Sequence, residues 1–340
     1  MNLKELSRSL GLSQTTVSRA LNGYPEVSEA TRVRVQQAAE RFNYAPSTRA
    51  KGLATGRSLA IGHVIPLSFK HEMLNPIFAD FIAGAGETYA RHGYEMVISV
   101  LSETGSENDV YRSLKRRKAV DGVVIQAPHI NDTRIPFLTD LGLPFVVHGR
   151  ASGVAAPYSW VDVNNKRAFQ TATGFLHDLG HRRIGLINGL EEMDFAHRRR
   201  AGFVEALAAR GLSADPALMY SSEMTEQAGF DAATRMLDLA APPTALLTAS
   251  LITAMGARRA IEARGMRLAR DVSIVTFDDN LSYLQNGGPT PVFTATRSSV
   301  REAGRRVAAM LIDRIANPDQ PPTHDLLEAE LIVGQSTGPA

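Results

Sequence analysis

Two hydrophobic rhythms alternate through most of this chain. Short, nearly unbroken apolar runs read as buried strands at 59–65, 95–101, 120–126, 144–148, 184–188, 244–248 and 272–277. Between them, apolar residues recur every three or four positions. That spacing predicts helices over 76–91, 108–117, 166–179, 196–210, 227–239, 252–264 and 300–316. Buried strands separated by amphipathic helices imply parallel sheets covered on both faces. Roughly ten strands over roughly 280 residues suit two doubly wound α/β lobes better than one. The break between lobes is expected near 159–163, with crossings back near 291–295 and again near 321. The first lobe then spans about 59–160 and 292–320, the second about 161–291 and 321–340.

Residues 1–46 follow a different pattern, all helical. Leu3, Leu6 and Leu10 keep helical spacing, with Asn2 and Glu5 placed as a capping box and Gly11 making the turn. Ser13 is an N-cap for a second short helix whose apolar stripe is Val17, Ala20 and Leu21, stopped by Asn22-Gly23. Ser28 caps a third helix over 29–42, with Glu29 and Arg41 suited to the two ends of its dipole. Val35, Ala38, Ala39 and Phe42 are expected to pack it on the first two helices. The face of the second helix opposite its stripe carries Gln14, Thr15, Ser18 and Arg19. Two short helices about a glycine turn, the second with a polar face, have the form of a helix-turn-helix. A small solvated helical hairpin has the same pattern. Residues 47–58 read as a linker holding a helical turn or two, too short for an isolated stable helix.

Charge separates these readings. Residues 1–58 hold nine Lys and Arg against four Asp and Glu, a net of +5, while the rest holds 28 against 31, a net of −3. A basic head on a mildly acidic body fits a phosphate-binding footprint. Hydrophobic content of 44% and charged content of 21% over 340 residues are ordinary for a soluble protein. With no cysteine there is no disulfide, thiolate metal site or thiol nucleophile. Gly84-Ala85-Gly86 lacks the third glycine of a dinucleotide fingerprint and reads as helix packing. Phosphate-loop, HExxH and GxSxG patterns are missing and the nine histidines are scattered, so no cofactor, metal or catalysis is expected. The chain opens directly into an amphipathic helix, and no apolar run approaches the ~20 residues of a membrane span, so a cytoplasmic location is expected.

Several stretches together resemble the LacI/GalR family of transcription regulators. They include Leu3-Lys4-Glu5-Leu6-Ser7, Leu10-Gly11-Leu12-Ser13, Thr16 to Gly23, Asn43-Tyr44-Ala45-Pro46 and Ala50-Lys51-Gly52-Leu53. In the body, Asn75-Pro76-Ile77-Phe78, Val161 to Asn165, Arg199 to Phe203 and Asp271 to Asp279 continue the likeness in order. The resemblance implies a homodimeric regulator, in this family usually a repressor, that binds a pseudo-palindromic operator and responds to a small ligand between its lobes. Gln14, Thr15 and Arg19 would then touch bases, and Ser13, Thr16, Ser18, Asn22 and Ser28 would hold phosphates. Leu53, on a hinge helix that forms when two copies meet on DNA, would wedge the minor groove. In the cleft, Arg199 would reach ligand oxygens and Asp278 would accept two sugar hydroxyls, with Asp279 structural. Phe78 would pack on a ring face. Gln126, His148, Phe195 and Met224 carry over by position.

Two departures stand out. Ser250-Leu251 occupies the place of the family's usual Asn-Asp, and His148-Gly149-Arg150 replaces a frequent Asp before the arginine. Ser250 and the stretch His148-Gly149-Arg150 thus become candidate replacement contacts, the latter reading equally as a core histidine beside a surface arginine, and the surviving residues suit hydroxyls, as of a sugar or glycoside. Two rivals stand beside this reading. One is a two-lobed sugar-binding or sugar-metabolising protein without regulatory DNA binding. The other is an activator or DNA-architectural protein with no small ligand.

Overall fold

The computed structural model describes residues 1–44, 56–66, 75–101 and 105–340. The head comprises α1 (Leu3–Leu10), α2 (Gln14–Leu21) and α3 (Glu29–Arg41). Each opens on a side-chain cap. The Asn2 carboxamide accepts from the Glu5 amide at 3.0 Å while the Glu5 carboxylate accepts from the Asn2 amide at 2.9 Å. Ser13 Oγ accepts from the Thr16 amide at 3.0 Å, and Ser28 Oγ from the Thr31 amide at 3.4 Å. Gly11 takes the left-handed φ of 64° that reverses the chain between the first two helices. Leu6, Leu10, Val17, Ala20, Val27, Val35 and Ala39 form the head's core. Arg34 fastens the third helix to the end of the first, donating to the Leu10 carbonyl at 2.7 Å. Phe42 departs from expectation. It is exposed under the Arg41 guanidinium, and Tyr44 packs on the core instead. The expected hinge helix and Leu53 lie outside the described residues.

The body carries two six-stranded sheets. The first orders β11 (His324–Leu327), β5 (Trp160–Val163), β4 (Phe145–His148), β3 (Gly122–Gln126), β1 (Ala60–Pro66) and β2 (Glu95–Leu101). The second orders β12 (Glu330–Ile332), β10 (Thr294–Arg297), β9 (Ser273–Asp278), β8 (Ala245–Thr248), β6 (Ile184–Asn188) and β7 (Met219–Ser221). Every pairing is parallel except β10 with β12. In the first lobe, helices α4 (Pro76–Arg91), α5 (Glu107–Arg116), α6 (Arg134–Leu141) and α11 (Val300–Ala316) cover the sheet. In the second, α7 (Asn165–Asp178), α8 (Asp194–Ala208), α9 (Glu226–Leu237) and α10 (Leu251–Glu262) do so. Strand alternation divides the second lobe into two cores. Leu247, Val275 and Phe277 face α7 and α8, while Leu246 and Ile274 face α9 and α10.

The chain changes lobe later than the apolar pattern suggested. Strand β5 belongs wholly to the first sheet, β10 to the second and β11 to the first. The crossings therefore fall at Asn164, Ser298–Ser299 and Glu328–Ala329. The expected points sat at breaks in hydrophobicity and at Pro291 and Pro321, but a strand's lobe is decided by the partner it pairs with.

Helix pairs close through glycine. A Cβ on Gly84 would run into the Arg301 carbonyl, and one on Gly304 into that of Phe81, so α4 and α11 meet backbone to backbone. Gly202 meets the Lys166 carbonyl in the pair α7–α8, and Gly229 and Gly256 do the same in α9–α10. Gly86, two residues from Gly84 on one helix, has only Met96 Cε 3.7 Å from a Cβ position. Urea unfolding should show Gly84→Ala destabilised by about 1–3 kcal/mol through forced overpacking. Gly86→Ala should be neutral or stabilised by up to about 1 kcal/mol through helix propensity. Equal effects at the two positions would refute backbone contact as the cause.

Candidate functional site

Carboxyl ends of strands from both sheets meet at a cleft of about 170 Å³ that opens to solvent. From the first lobe it is lined by Phe78 and Phe81 of α4, Gln126 at the end of β3, His148 at the end of β4 and Asp162 on β5. From the second come Asn165, Phe195, Arg199, Met224, Phe277 and Asp279. Phe195 and Met224 also floor an adjoining apolar hollow with Pro76, Leu190, Met193 and Ile252.

Arg199, on α8, is buried at 5% exposure. Its Nε donates to Asn165 Oδ1 at 2.8 Å and its Nη1 to the Ala249 carbonyl at 2.7 Å. The guanidinium lies 4.1 Å from the Phe277 ring centre, 5.0 Å from Phe195 and 5.2 Å from Phe169. Burial brings its pKa down to about 10, opposed by the charges of Asp279 and Asp162. Its neighbours point elsewhere: Arg198 pairs with Asp194 at 2.5 Å and Arg200 with Glu191 at 3.1 Å.

The two adjacent acids at the end of β9 are placed opposite to expectation. Asp278 is not among the cleft residues. It faces the other side of the sheet, where its carboxylate takes Arg297 Nε at 2.9 Å and the Asn280 amide at 2.8 Å. Asp279 lines the cleft instead, and burial, aided by the charge of Asp278, pushes its carboxyl up to about 7 against the pull of Arg199. The pleat explains the exchange. Phe277 points toward α7 and α8, so Asp278 must point away and Asp279 return to the face of Phe277. Counting parity from Phe277 would have found it.

Ser250 is likewise drawn off. It is the buried N-cap of α10, accepting from the Thr253 amide at 3.3 Å while its own amide donates to Thr253 Oγ1 at 3.1 Å. Arg150 turns from the cleft, giving Nε to Asp162 Oδ2 at 2.7 Å and lying over the Trp160 ring at 4.8 Å. Gly149, at φ 111° and with Pro128 Cδ 2.8 Å from any Cβ, can only be glycine. The other expected cleft residues, Phe78, Gln126, His148, Phe195, Arg199 and Met224, do meet there. Asp162, Asn165, Phe81 and Phe277 join them unannounced. Asp162 and Asn165 stand in the polar run that closes β5, a position that signals a strand mouth.

His148 stacks on Phe81 with ring centres 4.4 Å apart, and burial brings its pKa down to about 4. Behind Gln126 lies His63, 1% exposed, with Nε2 3.1 Å from the Tyr89 hydroxyl and Nδ1 3.3 Å from Gln126 Nε2. Burial lowers its pKa to about 4 as well. Among the described residues no group of three or more His, Asp or Glu side chains is placed to hold a metal, and no helix is long and apolar enough to cross a membrane. On the head, Gln14, Thr15 and Arg19 of α2 are exposed, as are Ser13 and Ser28, while Thr16, Ser18 and Asn22 are half-buried. Asn22 Nδ2 donates to the Ser18 carbonyl at 2.8 Å.

A three-helix head followed by a two-lobed α/β body with a polar, aromatic-lined cleft is the make-up of a ligand-responsive transcription regulator. Residues 2–47 match the family described as "Bacterial regulatory proteins, lacI family", and residues 173–337 match "Periplasmic binding protein-like domain". The chain is 45% identical over 340 residues to the HTH-type transcriptional regulator AglR of Rhizobium meliloti (strain 1021), covering all of this chain and 95% of that protein. The solved transcriptional regulator CelR–cellobiose complex superimposes with a TM-score of 0.73 at 29% identity, over 99% of both chains. The lac repressor dimer bound to operator and the anti-inducer ONPF has the same fold, with a TM-score of 0.85 at 24% identity over 99% of both chains. The chain belongs to the LacI family. It is a DNA-binding transcription regulator and not an enzyme, as its relatives are.

His63 gives the site a pH signature. Its folded pKa lies below the ordinary value of 6.5, so the unfolded chain binds the extra proton. The stability it contributes is present above pH 6.5 and is lost as pH falls toward 4, at about 1.4 kcal/mol per pH unit. Unfolding free energies measured across that window should depend less on pH in His63→Leu than in wild type, by that slope. Parallel curves would contradict a buried neutral imidazole.

Proposed function

We propose that this protein is a homodimeric, cytoplasmic repressor that reads a pseudo-palindromic operator through the exposed face of α2 and is controlled by a sugar or glycoside held between its lobes. The observation that carries the ligand reading is the pairing, in one cleft, of ring faces with hydroxyl-binding groups. Phe78 and Phe195, both half-buried, offer apolar faces beside Arg199, Asn165, Gln126 and Asp279. A carbohydrate presents the same alternation of C–H faces and hydroxyl edges. The adjoining hollow of Pro76, Leu190, Met193 and Ile252 suits a second ring or an aglycone. The solved relative CelR, whose complex holds cellobiose, supports this class of ligand.

Ligand bridging the two lobes favours the closed arrangement by the difference in its affinity for closed and open states. DNA affinity changes by the same coupling free energy. On the head, Arg19 forks onto a guanine edge and Gln14 onto an adenine, with Thr15 beside them. Ser13, Thr16, Ser18, Asn22 and Ser28 hold phosphates, and Leu53 wedges the minor groove at the dimer centre.

Purified protein screened by thermal shift against glucose, galactose, maltose, cellobiose and melibiose tests the ligand reading. A binding sugar at 100 times its Kd should stabilise the fold by about 2.7 kcal/mol. Arg199→Lys should lose most of that shift, because a single ammonium cannot reproduce the fork. No shift with any of them would overturn the reading. Against operator selected from random duplexes, Arg19→Ala should lose about 1–3 kcal/mol of discrimination at one base position. Equal preference for operator over scrambled DNA in wild type and variant would count against Arg19 as a base reader.

A further inference from the structure

We propose that Asn165 is the positioning residue of the effector site, its amide tying the Arg199 guanidinium of the second lobe to the Asp162 carboxylate of the first. This rests on reading the cleft as the effector site. Asn165 is 3% exposed and follows the first crossing directly. Its Oδ1 accepts from Arg199 Nε at 2.8 Å, and its Nδ2 donates to Asp162 Oδ1 at 3.3 Å and to the Val163 carbonyl at 3.0 Å. Asp162 Oδ2 takes Arg150 Nε at 2.7 Å.

The amide has only one orientation here. A guanidinium nitrogen only donates, and a carboxylate and a carbonyl only accept, so the carboxamide oxygen must face Arg199 and its nitrogen must face Asp162. The chain from Arg150 through Asp162 and Asn165 to Arg199 therefore has a fixed polarity, and it passes from one lobe to the other at the crossing. Arg199 is held to the Ala249 carbonyl within its own lobe, and Asn165 supplies the only side-chain acceptor for it among the described residues. A ligand that engages the guanidinium finds it already aimed, and its pull is felt at the crossing.

A swap of the two polar groups tests this on the full-length protein. Asn165→Asp puts carboxylate against carboxylate, and Asp162→Asn leaves one oxygen where Arg150 Nε and the Asn165 amide need two acceptors. The doubly exchanged protein restores one donor and one acceptor between positions 162 and 165 and keeps a carboxylate for Arg199. By calorimetry with the sugar that stabilises wild type most, Asn165→Asp should bind about tenfold more weakly and Asp162→Asn about threefold. The double exchange leaves the Val163 carbonyl without its donor, so it should bind about threefold more weakly than wild type, well short of the roughly thirtyfold product of the single losses. A double variant as weak as the product of the single ones overturns the proposal. The same cycle in urea unfolding of ligand-free protein should show the same rescue. If wild type binds none of the sugars, the effector reading fails by itself. The unfolding cycle then still decides between a connected chain and independent residues.

Discussion

A cation enclosed by protein must be solvated by something other than water, and much of the second lobe's mouth is arranged to do this for Arg199. A backbone carbonyl, a carboxamide oxygen and three phenyl rings take the place of a hydration shell. These groups come from different elements: Phe169 and Asn165 from α7, Phe195 from α8, Phe277 from β9 and Ala249 from the turn before α10. Any shift of one element relative to another would expose or strand the charge. The guanidinium thus locks the strand ends into one geometry before a ligand arrives, which lowers the ordering cost of binding.

That same low-dielectric surround governs the ionisable groups beside it. Asp279, facing the cleft, rises to about 7, whereas Asp278 escapes the mouth by the pleat of the strand and pairs with Arg297. His63 and His148 are driven the other way, to about 4, because burial opposes the charged form whichever sign it carries. Around the Arg199 charge the cleft consequently presents two neutral imidazole neighbours, a carboxyl at Asp279 poised between its two forms near neutral pH, and the Asp162 carboxylate held by Arg150.

How much of this could be read from the chain depends on the range of the interaction that decides it. Caps and stops are local, so Asn2 with Glu5, Ser13 and Ser28 marked helix starts correctly, and the helix over 76–91 has the expected bounds. The helix Arg134–Leu141 went unread because Pro136 interrupts its pattern, although proline is tolerated in a first turn. The late strands β10, β11 and β12 are short and carry polar residues, and their sheet is fixed by a distant partner, which no local rhythm encodes. At the site, residue type and approximate place were legible, and orientation was not. Ser250 was expected among ligand contacts, yet as the residue before a helix its hydroxyl is claimed by the backbone. Asp278 and Asp279 exchanged places for want of a count along one strand.

The glycine contacts between paired helices carry a mechanical corollary. Where main chain rests on main chain there is no side chain to rotate, so each pair has little compliance, and α4–α11, α7–α8 and α9–α10 act as braces within their lobes. Whatever give the body possesses is left to the joins between lobes, the three connections at Asn164, Ser298–Ser299 and Glu328–Ala329 and the hydrogen bonds beside them, Asp80 with Ser282 and Ser152 with Asp194. Three parallel straps resist stretching and sideways slip while permitting a bend.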